Sequence, residues 1–309
     1  MFTYIDPTVR ERLLDQERLI IVNSDGKSVE ANSNLDKLEG LISVLGPIPL
    51  PLIKSEKTVD VSWYACVRHT ELSKVEQLAE ELREGNRKNS FANLASSMAV
   101  NSVLIIGDPS SWTNPLIRVH SSCLTGDVLG SGRCECGPQL DKAIQDISND
   151  SQGGFVIYMA GHEGRGIGLW AKAATYILQD EGENTYQANR SLGLDEDSRD
   201  FSDAATLIKY FYGNKPFRLL TNNPKKIDDL KDNGLETITP MKHIIGVTGT
   251  NREYLFAKKD WGHTLEDKTF QKINKSKRYL SKRRRRQFNI CILPDCFELL
   301  ASIRAVFIL

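Results

Sequence analysis

The chain has 309 residues, enough to bury a sizeable core as one large domain or two smaller ones. Its 40 Lys and Arg balance 40 Asp and Glu, so net charge gives no global case for a nucleic-acid binder. Six cysteines, three of them clustered, argue for a reducing compartment rather than a disulfide framework.

Residues 1–95 read as an N-terminal α+β region of unassigned role. Asp6, Arg10, Glu11, Arg12 and Asp15 interrupt any apolar run, so no signal peptide is expected and the chain reads as cytoplasmic, with the nucleus as a second location. A short strand is predicted at 19–22, ending in the turn signal Asn23-Ser24-Asp25-Gly26. The stretch GPIPLPLI at 46–53 reads as a connector, because its prolines disfavour helix and central strand. Cys66 and His69 have ligand-like spacing, but a lone pair of this kind reads as packing. Val75, Leu78 and Leu82 predict a helix over 74–83.

Residues 96–265 alternate between strand and helix patterns, which predicts an α/β layered mixed sheet flanked by helices. Strands are expected at 103–106 and 116–119. A helix starting near Pro138 carries the apolar stripe Leu140, Ala143, Ile144 and Ile147. The apolar run at 155–159 suits a strand buried on both faces. A glycine-rich loop at 161–168 and a helix at 169–179 follow it, a layout that handles phosphate through helix-start amides. Further elements are a helix at 203–212, a strand at 217–220, a helix opened by Pro224, and strands at 236–238 and 244–247. Thr221, Lys225 and Lys226 at that helix start suit a phosphate chain, with a capped helix carrying solvated lysines as the lesser reading.

Residues 266–309 form a separate tail. Ten basic and no acidic residues lie between Lys268 and Arg286, a run suited to anionic surfaces or import machinery. The remainder of the chain is then acidic by ten charges. A membrane span at 288–309 is rejected: its large apolar side chains are worth roughly −6 kcal/mol on an insertion scale, while Asp295, Glu298 and Arg304 cost roughly +8.

The chemistry centres on Cys123, Cys134 and Cys136, a C-x10-C-x-C array beside Arg133 and several glycines. Three thiolates suit zinc and leave a fourth position for water, as in catalytic sites. A structural zinc closed by His120, or buried thiols without metal, fit the same spacing. The run from Asp195 to Asp200 reads by itself as an acidic turn before a helix.

Together with EGRGIGL at 163–169, LGLDEDSRDF at 192–201 and RLLTNNPKK at 218–226, this array resembles the GTP cyclohydrolase II family, over about 117–263. That family opens the guanine ring of GTP at the entry to riboflavin synthesis, releasing formate and pyrophosphate. The resemblance implies one zinc per chain on Cys123, Cys134 and Cys136, magnesium with the triphosphate, and a homodimer. Zinc lowers the pKa of bound water from about 15.7 to about 7, which supplies hydroxide at neutral pH. By motif, Asp197 corresponds to the proton acceptor, Arg199 to the residue acting at the α-phosphorus and Tyr176 to a tyrosine near the base. The implied nucleotide contacts are Arg118, Val119, His120, Ser121, Ser122, Gln139, Glu163, Gly164, Arg165, Thr185, Thr221 and Lys226. Guanidinium stays protonated, so by its own chemistry Arg199 reads as a phosphate clamp rather than a nucleophile.

Three positions depart from the family pattern: Ser122 replaces a glutamate, Gly161-His162 an arginine-glutamine, and Glu135 an aspartate. The segment LWAKAATYILQD at 169–180 is similar to a divergent branch of fungi and some bacteria tied to uracil breakdown. Two other readings therefore stand beside the first: a relative acting on another nucleotide, and a nucleotide-binding protein with structural zinc.

Overall fold

The computed structural model describes residues 5–30, 39–54, 57–73 and 99–265. The helix expected at 74–83, the boundary at 95/96 and the tail at 266–309 lie outside the described residues.

An N-terminal helix, α1 (Pro7–Asp15), was not expected from apolar periodicity. Its signal is the cap: Asp6 accepts from Thr8 N at 3.0 Å, and Pro7 sits at the first helical position. Four strands follow, β1 (Leu19–Val22), β2 (Ser28–Val29), β3 (Ile42–Lys54) and β4 (Lys57–Arg68). β3 overturns the connector expected at 46–53. Pro49 and Pro51 lie two residues apart, so their missing N–H groups face the same strand edge. β1 pairs β3 only at residues 42–45, and beyond Leu45 that edge has no partner strand among the described residues. A proline therefore breaks no ladder bond there.

The remaining elements are β5 (Asn101–Ile106), β6 (Leu116–Ser121), α2 (Cys136–Asn149), β7 (Gly154–Met159), α3 (Gly168–Asp180) and α4 (Thr185–Ser191). They continue through α5 (Ser202–Phe211), β8 (Phe217–Leu220), α6 (Pro224–Asp232), β9 (Ile238–Met241) and α7 (Arg252–Asp260). All the strands join one mixed sheet ordered β2-β1-β3-β4-β5-β7-β6-β8-β9, antiparallel up to β7 and parallel from β7 to β9. The strand expected at 236–238 falls slightly later, at β9. The one expected at 244–247 does not form. Gly246 is left-handed (φ 74°), packs against Pro138, and offers its carbonyl to Asn251 Nδ2 at 2.7 Å, which holds the segment on the start of α2.

Alternation along the strands divides the core. Ile117 and Val119 of β6, with Phe155 and Ile157 of β7, pack on Ala204, Leu207 and Ile208 of α5. Leu116 and Val156 face the other way, onto Ala143, Ile144 and Ile147 of α2. The parallel strands β6, β7 and β8 end side by side, at Ser121, Met159 and Leu220. Three of the four sequence motifs, the cysteine array, the glycine-rich loop and the 218–226 segment, leave the ends of these strands, as expected for a ligand site in such a sheet, while the fourth, at 192–201, follows α4. No helix among the described residues is long and apolar enough to cross a membrane.

Candidate active site

Beyond Ser121 the chain leaves the sheet through the five-residue turn Leu124–Val128 and returns to the start of α2, bringing three sulfurs together. The Cys123, Cys134 and Cys136 Sγ atoms lie within 4.8 Å of one another, with Cys123 and Cys134 at 3.6 Å. Tetrahedral thiolate ligands at about 2.3 Å from a zinc would stand about 3.8 Å apart, so the donor set and spacing fit that ion. Gly126 floors the cluster. A Cβ there would meet Cys134 Sγ at 2.7 Å and Cys123 Sγ at 3.1 Å. Gly126→Ala is therefore expected to lower zinc content with all three ligands still present. Metal analysis of the folded variant checks this, and a full complement of zinc would contradict the cradle.

His120 does not join the thiols. Its Nε2 lies 3.2 Å from both Asp127 carboxylate oxygens, and its ring stacks on Tyr158. Asp127 Oδ2 also accepts from Cys123 N at 2.9 Å and Tyr158 Oη at 3.0 Å, so it pins the turn from beneath. Among the described residues no other His, Cys, Asp or Glu completes the group, which leaves a three-ligand arrangement. Cys66 and His69 behave as packing: Cys66 is buried with its thiol pushed up by burial, and His69 Nδ1 lies 2.9 Å from Ser43 Oγ.

The glycine-rich turn after β7 approaches the cluster from the side. Glu163 Oε2 accepts from Leu124 N at 2.6 Å, and Oε1 accepts from Lys172 Nζ at 2.5 Å. Lys172 also donates to Cys123 Sγ at 3.2 Å. Burial opposes the Lys172 charge, but Glu163 and Cys123 hold its pKa above the ordinary value. The Cys123 thiol is driven well down by hydrogen bonds from Cys134 and Cys136, with Lys172 assisting. Tyr176, one turn further along α3, has Oη 3.0 Å from Thr125 Oγ1 and its ring under the Arg133 guanidinium. The inward face of α3 is thus polar: Lys172, Thr175, Tyr176 and Gln179 at helical spacing all line the pocket. Lys172 was missed in the sequence, although its i, i+4 relation to Tyr176 was a readable signal.

Seven Lys and Arg line this pocket against two carboxylates, Glu135 and Glu163, an environment for a polyanion. Arg118 is buried and donates to the Leu220 carbonyl at 2.8 Å and Gln139 Oε1 at 2.9 Å; burial lowers its pKa to about 10. Lys226 at the start of α6 is wholly buried and donates to the Val119 carbonyl at 2.7 Å. Burial and the charges of Arg118 and Arg199 press its pKa well below normal, so an arriving anion would favour its ammonium form. Thr221, beside it, accepts from Asn223 N at 3.1 Å.

Arg199 and Asp197 grip each other. Asp197 Oδ1 accepts from Arg199 Nε at 2.8 Å, and Oδ2 from NH2 at 2.5 Å. Burial would raise the Asp197 pKa, but these bonds bring it down to about 2. Arg199 faces the main pocket, whereas Asp197 lines an adjoining cavity with Trp261 and His263. Ser121, Ser122, Gln139, Gly164, Arg165 and Thr185 all line the main pocket. Val119 does not: its side chain is in the core, and only its carbonyl reaches the site. Ser122 Oγ donates to the Ala160 carbonyl at 2.9 Å. Glu135 accepts from Lys258 Nζ at 2.5 Å, so α7 contributes Lys258 and Tyr254 to the wall, residues that no motif had marked.

Three histidines in and beside the site are held neutral by burial, His162 and His243 at about 4 and His263 at about 2, against an ordinary value near 6.5. The unfolded chain therefore binds more protons below that value. Their contribution to stability is present above pH 6.5 and is lost as pH falls towards 4. Asp197 extends the loss between about pH 4 and 2. The urea midpoint is expected to drop steadily from pH 7 to pH 4.5, and less steeply in His243→Gln; equal midpoints would contradict the burial argument.

The sequence profile of the GTP cyclohydrolase II family matches residues 87–242. A protein of Aliivibrio fischeri named GTP cyclohydrolase-2 is 40% identical over 191 residues, covering 60% of this chain and 94% of its own length. Riboflavin biosynthesis protein RibBA of Mycobacteroides abscessus is 47% identical over 169 residues, 53% of this chain and 40% of that protein. In Arabidopsis thaliana, the chloroplastic monofunctional riboflavin biosynthesis protein RIBA 3 is 45% identical over 164 residues, 53% of this chain and 32% of its own. The chain thus spans well under half of these two longer relatives. With the profile covering half the chain and the Aliivibrio protein matched almost end to end, the chain belongs to the GTP cyclohydrolase II family.

Proposed function

We propose that this chain is a zinc-dependent hydrolase that opens the imidazole ring of GTP and releases formate and pyrophosphate. The observation that carries the reading is the meeting of a three-thiol centre with a cation-lined pocket at the ends of three parallel strands. Bound zinc on Cys123, Cys134 and Cys136 would supply Lewis acidity and a hydroxide source at neutral pH.

The chain's own residues then divide the substrate. Lys226, Arg199 and the amides opening α6 take the triphosphate, which brings magnesium held mainly by its own oxygens. Arg199 offers a planar fork to the α-phosphate and stabilises the charge that develops there. Asp197, held near pKa 2, is a weak base at neutral pH and serves to orient that fork. Tyr176 remains a phenol, its pKa raised by burial, and can donate a proton from Oη at the base end of the pocket. Glu163 and Lys172 lock the metal turn against α3 and help exclude water. The outward face of α3, where Trp170 is 91% exposed and Ile177 63%, offers a surface for the second copy of the implied homodimer.

Mass spectrometry after incubation with GTP, zinc and magnesium tests the reading. The expected products are a ring-opened nucleotide, formate and pyrophosphate. Untouched GTP, with another nucleotide opened instead, would move the chemistry to the uracil-linked branch.

A further inference from the structure

Arg199 belongs to a closed ring of hydrogen bonds. Its NH1 donates to Ser121 Oγ at 3.3 Å, and the Ser121 hydroxyl lies 3.2 Å from His162 Nδ1. His162 Nε2 lies 2.9 Å from the carbonyl oxygen of Asp200, the residue after Arg199. Every donor finds an acceptor if His162 is neutral and protonated on Nε2, the tautomer that the network assigns. Depression of its pKa to about 4 by burial agrees.

One member of the ring is held from outside. The Asp200 carboxylate accepts from Arg68 NH2 at 3.0 Å, as well as from Ser202 N at 2.9 Å and Ser202 Oγ at 2.8 Å. Arg68 Nε sits 3.1 and 3.0 Å from the two oxygens of Asp203. One guanidinium therefore spans carboxylates on either side of the start of α5, a task its planar fork suits and an ammonium does not. Arg68 is the last residue of β4, in the N-terminal region that precedes the family match at residue 87. Its strand is fixed by pairing with β5 and by Tyr64 packed edge-on against Phe211 of α5, 4.7 Å between centroids.

We propose that Arg68 is a positioning residue for Arg199, and that the N-terminal strands serve to hold the Asp197–Asp200 loop in place. The inference rests on Arg199 acting on the triphosphate. The Arg68 and Asp200 side chains are 45% and 58% exposed, so that contact adds little to global stability, whereas Asp203 is 16% exposed and its loss of Arg68 costs some folding stability; the effect on Arg199 is therefore read in binding and kinetics on folded protein.

The test uses the full chain. Arg68→Met is expected to cut kcat/KM for pyrophosphate release from GTP about tenfold, within the range of couplings carried by such networks. It should weaken calorimetric binding of inorganic triphosphate at least threefold at a temperature where urea unfolding shows the variant fully folded. Arg68→Lys should recover most of the midpoint lost in Arg68→Met without restoring affinity. Ser121→Ala opens the same ring, so Arg68→Met should cost little more in that background. Unchanged triphosphate affinity in Arg68→Met, or losses that simply add to those of Ser121→Ala, would overturn the proposal. If wild-type protein releases no pyrophosphate from GTP, the proposed function fails, while the triphosphate measurement still decides the role of Arg68.

Discussion

Arg199→Ala is expected to lose pyrophosphate release from GTP by at least the roughly 10²–10³-fold typical of removing one preorganised charge-stabilising group. The guanidinium is held on one side by both Asp197 oxygens and on another by Ser121, so it meets a phosphate already oriented. Truncation removes that charge and leaves the half-buried Asp197 carboxylate without its principal partner. Zinc content should stay at one per chain, because no thiol contact involves Arg199. Arg199→Lys should recover only a small part of the rate, since an ammonium cannot reproduce the bidentate geometry. Release kinetics of pyrophosphate, read beside metal content, check both halves. Near-normal release from Arg199→Ala would remove the clamp from the mechanism.

Cys134→Ser is expected to abolish both zinc binding and formate release. Its sulfur lies 3.6 Å from Cys123 Sγ in a cluster where Gly126 leaves no spare volume, so a shorter, harder oxygen reaches the ion poorly. The two losses differ in kind. In the proposed mechanism, opening the imidazole ring needs the metal, whereas displacement at the α-phosphorus relies on Arg199 and Lys226, so some pyrophosphate release is expected to survive. If phosphorus chemistry comes first, Arg199→Ala will lose formate as well, which makes the cysteine variant the cleaner probe. Metal analysis gives the direct check: unaltered zinc in Cys134→Ser would end the ligand assignment.

Much of the site was legible because its residues sit in local motifs at strand ends. Cys123 and Lys226 follow β6 and β8 within a few residues, and Cys134, Cys136 and Arg199 sit in short contiguous motifs, so local pattern marks them. What escaped depends on contacts across the fold. Lys258 reaches Glu135 from 123 residues away, and Arg68 reaches Asp203 from 135 away, so neither shows any local pattern. The proline-rich stretch misled for a related reason: a proline is excluded from a paired edge but not from a free one, and which edge of β3 is free depends on where β1 ends. The strand expected at 244–247 had the right composition, yet Gly246 and Asn251 hold it against α2. Position in the sheet decided the first, and a left-handed glycine held by Asn251 decided the second.

Paired quantification of formate and pyrophosphate from GTP, in the wild type and in Cys134→Ser, bears most directly on whether a three-thiolate zinc centre and a phosphate clamp work together in this pocket. The expected result is equal amounts of the two products from the wild type, and pyrophosphate without formate from the zinc-free variant. Normal formate release from the zinc-free protein, or neither product from the intact one, would contradict it.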